Sequence, residues 1–95
     1  MNASDRECRA LLEIENRLGL HARAAVQFVQ TANRFEAEVA VTKDGQTVSG
    51  RSIMGVMTLA ATQGSSIEVV TQGPQAAEAL EAIRALLAAK FNEPD

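Results

Sequence analysis

Residues 35–49, FEAEVAVTKDGQTVS, decide the fold. Phe35, Ala37, Val39 and Val41 alternate with Glu36, Glu38 and Thr42, the period of a strand with one covered face. Asp44-Gly45 then supplies the two positive-φ residues of a tight hairpin turn, so residues 46–49 are expected to return antiparallel to the first strand. A hairpin with a polar outer side belongs to a sheet covered by helices on one face only.

Working outward, Cys8, Ala10, Leu12 and Ile14 alternate with Arg9 and Glu13 in a first strand, with Leu11 as the exception. Ile67, Val69 and Thr71 alternate with Glu68 and Gln72 in a last strand, where Val70 is less simply placed. Between these, Ala22, Ala25, Phe28 or Val29, and Ala32 recur at helical spacing, which predicts a helix over residues 22–33. Residues 52–59 predict a short helix capped by Ser52, with Ile53, Met54, Met57 and Leu59 as its apolar edge and Gly55 limiting its length. From residue 75 to about residue 90, the stripe Ala76, Leu80, Ile83, Leu87 and Phe91 predicts the longest helix, with Pro74 at its opening and Glu81 beside Arg84 on its flank. The order is β-α-β-β-α-β-α, an α+β domain over residues 8–91, preceded by a flexible polar extension (1–7) and followed by a polar tail (92–95).

Composition narrows the function. Ninety-five residues suffice for one small core. With three Phe and no Tyr or Trp, that core is aliphatic, and stacking platforms for bases are lacking. A net charge of −3, without blocks of either sign, disfavours a nucleic-acid partner. Cys8 is the only cysteine, which excludes an intrachain disulfide and a thiolate-rich metal site. The polar opening MNASDRECRA does not read as an export signal, and no apolar run reaches membrane-spanning length, so the cytoplasm is the expected address and no membrane partner is expected.

The stretch GLHARAA, residues 19–25, places the only histidine, His21, where a glycine-led turn enters a helix. Metal ligation needs several donors around one ion, and no second histidine is present. A serine hydrolase triad lacks its G-x-S-x-G elbow. Two readings stay open: His21 caps the first turn or packs on the neighbouring loop, or it carries a phosphoryl group. The second rests on the free amides and partial positive field of a helix start, with the Arg23 guanidinium nearby. Ser52 likewise reads as a cap or as a phosphorylation site, since a helix N-terminus tolerates added phosphate best.

NRLGLHARAA, then KDGQTVSGRSIMGVMTLAATQGSSIEV, and finally TQGPQAAEALEAI occur in an order that resembles HPr, the histidine-containing phosphocarrier family of the bacterial phosphoenolpyruvate-dependent phosphotransferase system. The resemblance covers about residues 8–91. It implies an open-faced β-sandwich, with four antiparallel strands covered on one face by three helices. It also implies a carrier rather than an enzyme, without cofactor or metal, in which His21 takes the phosphoryl group on Nδ1 from phospho-enzyme I and passes it to enzyme IIA domains. Arg23 would steady the group, and Ser52 would be the regulatory serine addressed by an HPr kinase/phosphorylase. Leu20, Ile53, Met54 and Met57 would form the partner surface of a free monomer. The pattern departs at Ala24, where the family has proline. The resemblance also admits the nitrogen-related carrier NPr, or a regulatory binding module controlled at Ser52 without transfer.

Overall fold

The computed structural model describes residues 6–94. In chain order it contains β1 (Glu7–Glu13), α1 (Ala22–Ala32), β2 (Glu38–Lys43), β3 (Gln46–Ser49), α2 (Ile53–Thr58), β4 (Ser66–Gln72) and α3 (Ala76–Ala88), then a short 3-10 turn at Lys90–Asn92. The strands form one antiparallel sheet in the order β1-β4-β2-β3, with the three helices over one face.

Alternation decides which face is covered. Leu12, Val39, Val41, Ile67, Val69 and Thr71 point inward and are nearly inaccessible. They meet Ala24, Ala25, Phe28, Val29 and Ala32 of α1, Val56 of α2, and Leu80, Ile83 and Leu87 of α3. Small alanines on α1 let that helix lie close to the sheet, while Phe28 fills the space between layers. The one buried polar side chain of β4, Thr71, donates its hydroxyl to the Ala76 carbonyl at 2.7 Å, which removes the cost of burying it. Leu11 pairs with Glu68 on the open face and is 73% exposed, which accounts for its break in the apolar alternation.

The hairpin closes as its sequence requires. Lys43 pairs with Gln46, and the two loop residues between them, Asp44 and Gly45, both have positive φ. Strand β2, however, begins at Glu38 rather than at Phe35. The Ala37 N–H turns back to the Phe35 carbonyl, and Glu36 is tied to Gln75 by bonds of 2.8 and 3.0 Å that hold this segment outside the ladder. Strand β1 begins one residue earlier than expected, because Glu7 already pairs with Gln72. Of the expected polar extension, residues 1–5 lie outside the described residues.

The last helix also differs at both ends. Gln75, not Pro74, is its N-cap, and its side chain is committed to Glu36. Helix α3 stops at Ala88, and Lys90, Phe91 and Asn92 adopt left-handed backbone conformations with φ of 56°, 54° and 59°. Each such residue costs about 1 kcal/mol, and the burial of the Phe91 ring, which is 1% exposed, offsets that cost. Phe91 thus reaches the core from a reversed turn instead of from the helical stripe.

Candidate functional site

The loop from β1 to α1 is pinned before it reaches His21. The Ile14 N–H donates to Ser65, the Gly64 N–H returns to Ile14, and the Leu20 N–H donates to the Ala61 carbonyl at 2.9 Å. Asn16, 1% exposed, donates its side-chain amide to the Gly19 carbonyl at 2.8 Å and to Glu93 Oε1 at 3.0 Å. His21 is then the N-cap of α1 in extended backbone conformation, and its carbonyl accepts the Ala25 N–H. Its side chain makes no capping bond. The ring is instead paired through Nε2 with Glu93 Oε2.

That contact was invisible in the sequence, where the two residues stand 72 positions apart. The left-handed turn at Lys90–Asn92 sends the chain back across the start of α1 and delivers the Glu93 carboxylate to the ring. Glu93 therefore does more than form part of a polar tail. Burial pushes its carboxyl up, but the hydrogen bonds from Asn16 and His21, aided by the charges of His21 and Arg23, outweigh this and hold it below the ordinary carboxylate value.

The sign of this shift is testable. A carboxyl lowered in the folded state stabilises the fold above its unfolded pKa, about 4.3, and that contribution is lost as pH falls through the lowered folded value. Glu93→Gln is expected to be less stable than wild type near neutral pH, with the gap closing in acid, as read by denaturant unfolding. A gap that stays constant with pH would contradict the arrangement.

Leu18, His21, Ala22, Arg23, Glu93 and Pro94 line an open depression of about 520 Å³. The amides of the first helical turn, at Ala22, Arg23 and Ala24, have no intrahelical acceptor. Ala24 packs its methyl fully into the core and, unlike proline, retains its N–H in that turn. An imidazole, the positive end of an 11-residue helix and a guanidinium thus border one space. Such a mouth accommodates a phosphoryl-sized anion without a metal.

The other expected site residues divide. Ser52 caps α2, its Oγ accepting the Gly55 N–H at 3.0 Å. On the same helix Ile53, Met54 and Met57 are 40%, 71% and 37% exposed. None of these four lines the depression, although α1 and α2 pack against each other. Leu20 corrects the expected docking surface: it is 4% exposed and belongs to the core, drawn inward by the seam to Ala61. Leu18, in the loop between β1 and α1, is 61% exposed and borders the depression in its place. Among the described residues no cluster of three or more His, Cys, Asp or Glu could hold a metal ion, and no helix is long and apolar enough to cross a membrane.

The fold and the site define a small α+β domain that holds an imidazole at an open helix mouth beside Arg23. The family described as the PTS HPr component phosphorylation site matches residues 9–89. The phosphocarrier protein HPr of Neisseria meningitidis serogroup A is 51% identical over 82 residues, spanning 86% of this chain and 92% of that protein. The HPr-like protein Crh of Halalkalibacterium halodurans is 46% identical, spanning 80% and 90%. The crystal structure of an HPr from Thermoanaerobacter tengcongensis superposes with a TM-score of 0.89 at 40% identity, covering 93% of this chain and 99% of that one. The chain belongs to the HPr family of phosphocarrier proteins of the phosphotransferase system. Members of this family are carriers rather than catalysts.

Proposed function

We propose that His21 is the phosphoryl acceptor, charged by phospho-enzyme I and discharged to enzyme IIA domains. The observation that carries this reading is the shared depression, in which the ring of His21 stands beside the first turn of α1 and Arg23. A neutral imidazole nitrogen attacks phosphorus, and the N–P bond it forms remains reactive enough for onward transfer. Arg23 and the helix amides hold the phosphoryl oxygens while the entering and leaving groups stand in line. Leu18, Ile53, Met54 and Met57 supply apolar contact for the partners, and exposed methionine suits a surface that receives more than one of them. The carrier acts as a free monomer in the cytoplasm. Arrest of phosphoryl uptake in His21→Ala, with the fold retained, tests the reading.

Ser52 is the regulatory position in this account, addressed by an HPr kinase/phosphorylase. Phosphate there adds nearly two negative charges beside the exposed methionines and repels acidic partner groups. Ser52→Asp is an informative mimic because aspartate caps a helix as well as serine does, so its effect is not a loss of folding. Charging by enzyme I is expected to slow by about tenfold at low salt and to recover as salt screens the charge. Equal rates across a salt series would remove the proposal.

Similarity to proteins called HPr-like protein Crh, at 45–46% identity, favours one second reading, a regulatory module whose Ser52 state selects an effector. Onward transfer from His21 separates the two.

A further inference from the structure

We infer that Glu93 is a positioning residue for His21, fixing the imidazole with its hydrogen on Nε2 and its reactive lone pair on Nδ1, and balancing the charge the ring acquires on transfer. The inference rests on His21 being the phosphoryl acceptor. Asn16 supports it from behind. Its buried side-chain amide donates to two acceptors, the Gly19 carbonyl and Glu93 Oε1, so the orientation of that amide is determined and the carboxylate is held in place. An ionised carboxylate only accepts hydrogen bonds. The remaining oxygen, Oε2, meets the Nε2 side of the ring, so that nitrogen carries the hydrogen. With the Glu93 side chain only 10% exposed, water competes weakly for the contact.

The transfer step balances without a further proton donor or acceptor. The Nδ1 lone pair forms the new N–P bond while the bond from phosphorus to the donor group breaks, its electron pair leaving with the donor. The proton on Nε2 stays where it is. The ring becomes formally cationic, and the Glu93 carboxylate meets that charge with a stronger hydrogen bond than it makes to the neutral ring. The same contact serves the reverse step, in which the ring departs from phosphorus as a neutral imidazole that still carries its Nε2 hydrogen.

Two substitutions distinguish this role from a merely structural one. Glu93→Ala removes the acceptor. Glu93→Gln preserves shape, but Asn16 requires its carbonyl oxygen, which turns the glutamine NH₂ toward the ring; a donor facing Nε2 drives the ring hydrogen to Nδ1, where no lone pair then remains for attack. With histidine labelled with nitrogen-15, wild type is expected to show a hydrogen-bonded Nε2–H signal at neutral pH, and both variants are expected to lose it. Uptake of phosphoryl from phospho-enzyme I should fall by about tenfold in Glu93→Ala, the scale of one charge-assisted hydrogen bond, and at least as far in Glu93→Gln, with circular dichroism unchanged. Full activity of the glutamine variant, or a wild-type ring with its hydrogen on Nδ1, overturns the assignment and leaves the carrier reading standing. A wild type that competent enzyme I cannot charge overturns the carrier reading, and the assignment with it.

Discussion

Replacing His21 with alanine is expected to leave a folded protein that takes up no phosphoryl group from phosphoenolpyruvate and enzyme I. The fold is expected to survive because His21 serves α1 through its backbone: its carbonyl accepts the Ala25 N–H, and its side chain makes no cap. Losing the ring removes the Glu93 contact, whose net worth to stability is about 1–2 kcal/mol, while the buried layers of Phe28, Val41, Ile67 and Ile83 are untouched. Function has no such reserve. The sequence contains no other histidine, and Cys8, the one thiol, is held within β1 opposite Thr71. Intact mass of wild type and variant after incubation with enzyme I reads the result, and a full phosphoryl adduct on His21→Ala would refute the assignment.

Gly19→Ala should be the most damaging small change in the loop that carries His21. Gly19 has a φ of +68°, and an added Cβ would lie 2.3 Å from the Ala61 carbonyl oxygen and 3.0 Å from Thr62 Cα. These are backbone atoms that cannot rotate aside, and the Ala61 oxygen also accepts the Leu20 N–H across the same seam. The positive φ alone costs about 1 kcal/mol; displacing the seam raises the expected total to about 3 kcal/mol, a fall in Tm of roughly 12–24 °C. Gly64→Ala is the control, since φ is +89° there but nothing lies within 4 Å of the added atom. It should show only the conformational part. Denaturant unfolding of both variants checks the comparison, and equal losses would mean that the loop has room to relax. Charging of Gly19→Ala should also slow, because the displaced seam moves the N-cap of α1.

These predictions draw on different layers of legibility. Alternation in β1, β2 and β4 exposed the inner face of the sheet, and Asp44-Gly45 marked the hairpin, because both are local consequences of strand geometry and turn stereochemistry. The serine cap of α2 was legible for the same reason, since its acceptor and donor lie three residues apart. What escaped the sequence depends on long-range geometry. Phe35 has the right period for a strand, but the Glu36–Gln75 bonds hold it outside the ladder. Phe91 fits the stripe of α3, yet it enters the core after a reversal that no helical period encodes. Leu20, expected at the docking surface, turns inward where its N–H bonds the Ala61 carbonyl, and Leu18, to which no pattern assigned a place, is the exposed leucine of the loop.

The site divides in the same way. His21 and Arg23 belong to one short motif at a helix start, so their shared depression follows from local sequence. Glu93 joins them only through the turn after α3, with the buried amide of Asn16 holding it there. No periodicity or spacing joins residues so far apart. A glutamate in a polar C-terminal stretch ordinarily reads as solvated charge, and only the folded chain shows it against the imidazole.

Onward transfer is the most direct test of the central claim. Wild-type protein charged with labelled phosphoenolpyruvate and enzyme I, freed of donor, and then mixed with an enzyme IIA acceptor should carry an acid-labile label on His21 and lose it to IIA. A label that never forms with competent enzyme I, or that forms and stays on the chain when a cognate IIA is present, would contradict the phosphocarrier account.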